Sequence, residues 1–152
     1  AVTLRTLTAR QGREAMSDCI FCRIIRGDIP SAKVYEDQHV FAFLDIGPLS
    51  WGHALVVPKK HVESAVEMSA EDSAALYRTI PKLAAAVMKA TNAEGLNVLQ
   101  NNGAAAGQAV AHLHVHLIPR RAGDGLGYRW NAKKYPEGEL AAWHRKVLDA
   151  LR

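Results

Sequence analysis

The sequence lacks several features by which whole classes of protein are recognised. It has only two cysteines among 152 residues, and one pair cannot build the disulfide framework of a small secreted domain. Its apolar runs fall well short of the ~18 residues that a membrane-spanning helix needs. Internal repeats and low-complexity segments are also lacking. We therefore expect one compact soluble domain in the cytoplasm, with no membrane partner.

Basic charge is not concentrated in one place, although the formal net charge is +4 and the sequence pI is about 9.2. The doublets Lys59-Lys60, Arg120-Arg121 and Lys133-Lys134 are far apart and form no stripe interleaved with aromatic residues. Because a nucleic-acid-binding surface needs such a stripe or patch, we expect no specific nucleic acid partner.

Residues 1–15 differ in character from the rest of the chain. They contain three arginines and one glutamate, which is +2 of the net charge of +4. They have no long apolar stretch, so they are not a secretory signal, although their arginine and threonine content is also found in transit peptides. We favour an N-terminal extension, disordered or not native, ahead of a natural start at Met16. One domain then covers residues 16–152.

The pattern of apolar residues predicts an α+β domain with a five-stranded antiparallel sheet. The predicted strands are Lys33 to Glu36, His39 to Ile46, His53 to Pro58, Leu96 to Asn101 and Ala109 to Pro119.

Three helices accompany these strands in the prediction. A short one over residues 17–29 has Asp18 as a possible cap and ends at Gly27. One long helix runs from a cap near Ser69 to about Ala93, is kinked or split at Pro81, and stops at Gly95. A last helix begins at Pro136. Its apolar residues Leu140, Trp143, Val147 and Leu151 are expected to face the core.

The strongest chemical signal is the alternation of His112, His114 and His116 with apolar residues. Successive side chains of a strand point to opposite faces, so these histidines line one face of the last strand. The opposite, core-facing side is predicted to consist of Ala109, Ala111, Leu113, Val115 and Leu117. Packing does not explain a row of imidazoles. A solvated face with repeated histidine is one alternative, and a catalytic zinc site with two or three histidine ligands is another.

The two cysteines, Cys19 and Cys22, have C-x-x-C spacing. A thioredoxin-like redox pair should follow a buried strand, and nothing strand-like precedes Cys19. Metal ligation and a pair of unligated buried cysteines both remain open on spacing alone.

These segments together resemble the histidine triad family, and most closely its bacterial nucleotide-binding branch with an added C-x-x-C. His112-Leu-His114-Val-His116-Leu-Ile has the family's pattern of histidines alternating with apolar residues. The segments CIFCRIIRGDIPSAKVYED, FLDI, GHALVVPKKH and NVLQNNG are similar too, so the resemblance extends from Asp18 to Arg121.

The resemblance implies a hydrolase acting on the α-phosphate of purine nucleotide phosphoramidates or related conjugates. A covalent nucleotidyl-histidine intermediate would form and then release a nucleoside monophosphate. His114 matches the nucleophile, and His116 the residue that handles the leaving group and holds the phosphate oxygens. His53 matches the family's fourth histidine, and His112 completes the catalytic set. The alternatives are a dinucleoside polyphosphate hydrolase, a nucleotidyl transferase, and a purine-nucleotide-binding regulatory protein with vestigial activity.

The resemblance also implies how a nucleotide binds. Asp45 matches a carboxylate that accepts hydrogen bonds from the ribose hydroxyls, and Asn101 and Gln108 match amides that bind the phosphate or the bridging atom. Ala109 stands where many members have serine, so one hydroxyl contact is missing. The residues that match the apolar wall of the base pocket, for which core packing is the alternative, are Phe21, Ile20, Ile29, Phe43, Ile46 and Leu55.

Two further expectations come from the same resemblance. One is a structural zinc ion, held by Cys19, Cys22, His61 and His112. Such a closed set of four ligands leaves no open position for a catalytic water. The other is a homodimer made by extending the sheet.

Overall fold

The structure is a computed structural model that describes residues 18–127 and 132–151. The predictions for residues 1–15 and for a start at Met16 lie outside these ranges. The strands are β1 (Lys33–Glu36), β2 (Val40–Leu44), β3 (Ala54–Pro58), β4 (Gly95–Gln100) and β5 (Val115–Arg120). The helices are α1 (Ile20–Arg26), α2 (Ala70–Tyr77), α3 (Ile80–Thr91) and α4 (Glu139–Ala150). Among the described residues, no helix has the length and apolar content required to cross a membrane.

The five strands form one antiparallel sheet in the order β1-β2-β3-β5-β4, which confirms the predicted α+β architecture. β3 and β5 lie side by side near the centre, with Leu55 opposite His116. The first residues of β3 therefore lie beside the first residues of β5, and this part of the sheet holds the candidate site.

Strand alternation gives the sheet two differently covered faces. On one face, buried aliphatic residues of the strands pack with Leu76 of α2 and with Leu83 and Val87 of α3. On the other face, Phe41 and Phe43 belong to a cluster with α1. The first face is the larger core, and the second lies beside the histidines.

The predicted long helix is two helices, α2 and α3, that meet near Pro81. The Ser69 hydroxyl caps α2 by accepting a hydrogen bond from the Asp72 amide at 3.0 Å. Pro81 lies in the first turn of α3, where a missing N–H costs no helical hydrogen bond. The predicted stop at Gly95 is wrong. Asn92, with φ of 51°, ends α3, and Gly95 begins β4.

Both ends of α1 follow from local backbone geometry. Its N-cap residue is Cys19 rather than Asp18. At its other end, Gly27 has a φ of 84°, which confirms the predicted stop because glycine adopts this left-handed conformation without strain.

The C-terminal helix forms, but the prediction that its apolar residues face the core is wrong. Every residue of α4 is exposed. The residues concerned are Leu140, Trp143, Val147 and Leu151. A 3.6-residue period predicts that a helix has an apolar face, but it does not say what covers that face. In the described part of the chain, the two faces of the sheet are covered by the other three helices.

The predicted strand over the histidine motif is too long, because β5 begins only at Val115. Leu113 donates its amide proton to the Val62 carbonyl at 2.7 Å instead of to a strand, so His116 alone of the three histidines lies in the ladder. The alternation of faces continues nevertheless, because Leu113 is fully buried in the larger core. Ala109 and Ala111 are exposed, so the core-facing row does not include them as predicted.

Candidate active site and metal centre

The structure brings three of the four predicted catalytic histidines, His53, His114 and His116, into one row, whereas the ring of His112 lies against His61. The ring centroids of His114 and His116 are 4.8 Å apart, and those of His116 and His53 are 5.1 Å apart. His53, His112 and His114 are buried, whereas His116 is half-buried. These side chains therefore differ in their access to a ligand, and hydrogen bonds determine which nitrogen of each ring carries the proton.

Among the described residues, one ring nitrogen of His114 has a hydrogen-bond partner and the other has none. Its Nδ1–H donates to the His112 carbonyl at 2.7 Å. A neutral imidazole has one protonated nitrogen and one lone pair, so the lone pair of His114 is at Nε2. That nitrogen has the electronic form that a nucleophile needs.

His53 and His116 form a directional hydrogen-bonded pair. The Leu49 amide donates to His53 Nδ1 at 3.1 Å, which places the His53 proton on Nε2. His53 Nε2–H then donates to His116 Nδ1 at 2.8 Å. The proton of His116 is consequently on Nε2, the nitrogen opposite this bond.

Burial keeps these rings neutral. It lowers the pKa of His116 to about 4 and also lowers the pKa of His53. The Asp45 carboxylate, whose Oδ2 is 3.8 Å from His53 Nε2, acts in the opposite direction on both rings but less strongly. At neutral pH the pair is uncharged and offers one N–H to the site.

A second group, Cys19, Cys22, His61 and His112, has the donor set and spacing of a metal site. All four ligand atoms lie within 4.8 Å of one another. The sulfur–nitrogen distances are 3.4 Å from Cys19 and 3.6 Å from Cys22 to His112 Nδ1, and 3.3 Å from Cys22 to His61 Nδ1. Tetrahedral zinc with ordinary bond lengths places sulfur and nitrogen ligands ~3.5 Å apart.

The surroundings of this group also suit a metal. His112 Nε2–H donates to the Pro58 carbonyl at 2.8 Å, which leaves Nδ1 as the lone-pair nitrogen facing the two cysteines. Burial lowers the pKa of His112 to about 4, so the ring is neutral, as a ligand must be. Burial, and then the neighbouring Cys19, raise the pKa of Cys22 to about 11. Without a metal the thiol keeps its proton, and a bound cation displaces it.

The rival prediction of a catalytic zinc ion finds less support. Asp45, His53 and His116 also bring three ligand atoms within 4.8 Å. However, His53 Nε2 and His116 Nδ1 are 2.8 Å apart, closer than the ~3.3 Å between two nitrogens on tetrahedral zinc. That spacing is typical of a hydrogen bond.

Helix α1 connects the two groups through Phe21. The Phe21 ring lies edge-on to His112, with centroids 5.8 Å apart, and to His114, with centroids 5.1 Å apart. Since Cys19 and Cys22 flank Phe21 in sequence, the metal ligands and the ring beside His114 are positioned by the same helix.

Of the three polar residues predicted to bind nucleotide, Asp45 lies beside the row of histidines, with its Oδ2 3.8 Å from His53 Nε2. Asp45 is half-buried, and its Oδ1 accepts from the Gly47 amide at 2.8 Å. Asn101 Nδ2–H donates to the Gly107 carbonyl at 3.5 Å. Gln108 bonds only to backbone here, donating to the Glu63 and Val110 carbonyls and accepting from the Gly103 amide. Their roles toward a nucleotide stay predictions.

The structure brings together four of the six residues predicted for the base pocket. Phe21, Phe43 and Leu55 are buried in one cluster, and Ile29 packs against it. Ile20 is partly exposed and Ile46 is fully exposed, and neither belongs to the cluster.

Sequence reasoning missed the backbone groups that determine which nitrogen of each histidine carries the proton. These are the amide of Leu49 and the carbonyls of His112 and Pro58. Backbone atoms are the same in every residue, so no side-chain pattern could have indicated them. It also missed Val110, whose side chain packs against the Phe21 cluster.

Comparison with known proteins assigns this site to a family. The HIT domain, the histidine triad domain, matches residues 26–123. The protein is therefore a member of the histidine triad family, as its sequence predicted.

Among curated relatives, the Protein hit of Bacillus subtilis is 53% identical over 74% of this chain and 79% of its own. The adenosine 5′-monophosphoramidase hnt1 of Schizosaccharomyces pombe is 42% identical over 88% of this chain and 98% of its own. The adenylylsulfatase HINT3 of Arabidopsis thaliana is 46% identical over 72% of this chain and 56% of its own.

Solved structures agree. SMU.412c of Streptococcus mutans superposes with a TM-score of 0.86 at 47% identity, over 89% of this chain and 86% of its own. A zinc-bound histidine triad family protein of Mycobacterium smegmatis superposes with a TM-score of 0.70 at 35% identity, over 90% of this chain and 99% of its own.

Proposed function

We propose that this protein hydrolyses purine nucleotide phosphoramidates or related nucleotide conjugates at the α-phosphate. The observation that carries the proposal is the lone pair of His114 Nε2 beside the protonated Nε2 of His116. A nucleophile and a proton donor thus lie next to each other, as displacement at phosphorus requires. The names of the fission yeast and plant relatives, a monophosphoramidase and an adenylylsulfatase, support the substrate class.

In the first step, His114 Nε2 attacks the α-phosphorus, a nitrogen–phosphorus bond forms, and the bond to the leaving group breaks. A leaving amine takes the Nε2 proton of His116 as the bond to phosphorus breaks, and a proton from solvent replaces it on His116, so that the His53–His116 pair stays neutral. The positive charge of the step lies on the phosphorylated His114 ring, whose Nδ1–H keeps its hydrogen bond to the His112 carbonyl.

In the second step, water attacks the same phosphorus and breaks the bond to His114. His114 recovers its lone pair, the water gives up its proton to solvent, and a nucleoside monophosphate leaves. Positioning and electrostatic stabilisation contribute most of the acceleration in such transfers. We place the base in the Phe21 cluster and the ribose hydroxyls on Asp45.

Hydrolysis of dinucleoside polyphosphates and nucleotidyl transfer use the same first step and differ in the leaving group or in the acceptor. A binding protein with vestigial activity is the remaining alternative. A turnover comparison of adenosine phosphoramidates with diadenosine polyphosphates distinguishes these activities.

The direct test is His114→Ala, with His144→Ala on the exposed helix α4 as the matched control. The first variant should lose turnover by about 10⁴-fold or more, because the nucleophile is gone, while AMP binding stays near normal. The control should keep full turnover. Mass spectrometry of the rapidly quenched unmodified protein should locate the nucleotidyl group on His114.

A nucleotidyl group trapped on another residue would contradict the assignment, and so would retention of most activity by His114→Ala. Normal nucleotide affinity combined with negligible turnover by the unmodified protein would favour the regulatory alternative.

We further propose that the metal is zinc and that its role is structural. The fit of the four ligands and the zinc-bound relative of Mycobacterium smegmatis support this assignment. Zinc would link His112 to the two cysteines, and in this way it would fix α1 and Phe21 against the sheet. We also propose that the protein acts in the cytoplasm as a homodimer. Its free cysteines suit a reducing compartment.

A further inference from the structure

The loop between β2 and β3 is attached to β5 by a side chain that has no role in the chemistry above. The Ser50 hydroxyl donates to the Pro119 carbonyl at 2.7 Å. The pairing of β3 with β5 ends at Ala54 and Leu117, so the Pro119 carbonyl lies beyond that ladder. The Ser50 hydroxyl donates where a longer β3 would have supplied an amide.

The same loop holds the amide that fixes His53. The Leu49 amide, which donates to His53 Nδ1 at 3.1 Å, comes one residue before Ser50. The Ser50 carbonyl accepts from the His53 amide at 3.0 Å, which closes the turn between them. On the other side of Leu49, the Gly47 amide donates to Asp45 at 2.8 Å. Leu49 therefore lies between two attachment points, one at Gly47 and one at Ser50.

We propose that Ser50 is a positioning residue that determines which nitrogen of His116 carries the proton. By attaching the loop to β5, it holds the Leu49 amide on His53 Nδ1 and so keeps the His53 proton on Nε2. His53 then donates to His116, and His116 presents Nε2–H to the substrate. The kinetic part of this inference rests on the proposed function, whereas the protonation pattern itself does not.

The physical reason is that the two neutral forms of imidazole are close in energy, so a single hydrogen bond selects between them. Without the Leu49 bond, His53 can carry its proton on Nδ1 and accept at Nε2. His116 would then donate from Nδ1 and turn a bare lone pair, instead of a proton, toward the leaving amine. The Asp45 carboxylate also favours a proton on His53 Nε2, but 3.8 Å is too long for a hydrogen bond.

The loop has little freedom to replace this attachment by moving closer to the protein. Gly52 adopts a φ of 90°, and a side chain at this position would collide with the Thr91 side chain of α3. The hydroxyl of Ser50 is consequently the group whose removal loosens the loop with the least disturbance of packing.

The test measures histidine protonation by long-range proton–nitrogen NMR on the full chain with labelled histidine, assigned by single-histidine substitutions. The unmodified protein should show His53 and His116 each protonated on Nε2. Ser50→Ala should shift a measurable share of both rings to the Nδ1 form, and Ser50→Thr, which keeps the hydroxyl, should not. Ser69→Ala, which loses a hydroxyl contact at the start of α2, is the stability control and should leave both rings unchanged.

Turnover supplies the second measurement. Ser50→Ala should lower kcat about tenfold for an adenosine phosphoramidate, whose amine needs a proton as it leaves, and less than about twofold for adenylyl sulfate, whose sulfate does not. Ser50→Thr should keep the kcat for the phosphoramidate close to that of the unmodified protein. A merely structural role would lower both rates equally.

Unchanged protonation in Ser50→Ala overturns the inference whatever the turnover, as does a Ser50→Thr variant that behaves like Ser50→Ala. If Ser50→Ala does not fold, a measurement on the unmodified protein still tests the inference. It should show scalar coupling between the Leu49 amide nitrogen and His53 Nδ1, and absence of that coupling overturns the inference. If neither substrate is turned over, the proposed function fails while the protonation measurement remains valid.

Discussion

At the scale of single residues, the histidines of this site have the same side chain but different hydrogen-bond partners. His114 donates to a backbone carbonyl through Nδ1, whereas His116 accepts at Nδ1 from another imidazole. The former therefore has a lone pair at Nε2 and the latter a proton there. A change of partner, rather than a change of residue type, therefore gives one ring the lone pair that the proposed nucleophile needs and the other the proton that the proposed donor needs.

The lowered pKa values of His116 and His53 predict sensitivity to acid. A histidine with a folded-state pKa below its usual 6.5 stabilises the fold fully above pH 6.5, and this stabilisation is lost as the pH falls toward the folded-state value, which is about 4 for His116. Each ring lowers the unfolding free energy by at most about 1.4 kcal/mol per pH unit, and less where solvent reaches it.

Denaturant titrations between pH 7 and pH 4 measure this effect. His116→Asn, which lacks one of the titrating groups, should lose less stability over the same range than the unmodified protein. Equal losses in the two proteins would show that His116 does not titrate as described.

At the scale of elements, the short helix α1 determines more of the site than its seven residues suggest. It carries Cys22 and Phe21 and begins after Cys19, so it joins the metal group to the ring beside His114. It has no side-chain cap at its N-terminus, and a helix this short is not stable alone. Packing against the sheet must therefore hold it, and a metal bound by the proposed ligands would add to that.

Cys19→Ser should lower bound zinc and the melting temperature, by about 5 °C or more, because metal binding contributes to folding stability. Turnover per folded molecule should fall much less. Arg23→Ala, on the exposed side of α1, is the matched control and should change neither zinc content nor melting temperature appreciably. Metal analysis, calorimetry and initial rates provide the readouts. Catalysis that is absent from a folded zinc-free protein and restored by zinc would support the rival catalytic role.

At the scale of the whole molecule, the two edges of the sheet are unequal. β1, with sequence KVYE, has charged residues at its ends, and Glu36 forms ion pairs with Lys33 and Lys59. β4, with sequence GLNVLQ, has no charge and exposes Val98 and Leu99. Charged edges resist further pairing, so β4 is the edge at which a second copy is expected to extend the sheet.

Sedimentation should therefore give about twice the 16.6 kDa chain mass. Val98→Glu should shift the protein toward monomer, because it introduces like charges across the interface. Val34→Glu, at an equally exposed valine on the opposite edge, is the control and should leave the dimer intact. A monomeric unmodified protein at micromolar concentration would rule out the dimer.

Much of the fold could be predicted from the sequence because local patterns carry it. The apolar runs VFAFL and ALVVP, the cap at Ser69 and the break near Pro81 each depend on a few adjacent residues, and the structure confirms them. The length of the last strand could not be predicted in this way. Residues 109–114 alternate like a strand, but the Leu113 amide bonds to Val62 instead of to a strand.

The sequence by itself determined the family, the sheet, and the residue types available for chemistry and metal binding, because these follow from short-range order and from motifs of fixed spacing. Only the tertiary structure decided that α4 leaves its apolar face exposed, and which nitrogen of each histidine carries the proton. Both depend on groups distant in sequence or on backbone atoms common to every residue. No pattern of side chains along the chain records such contacts.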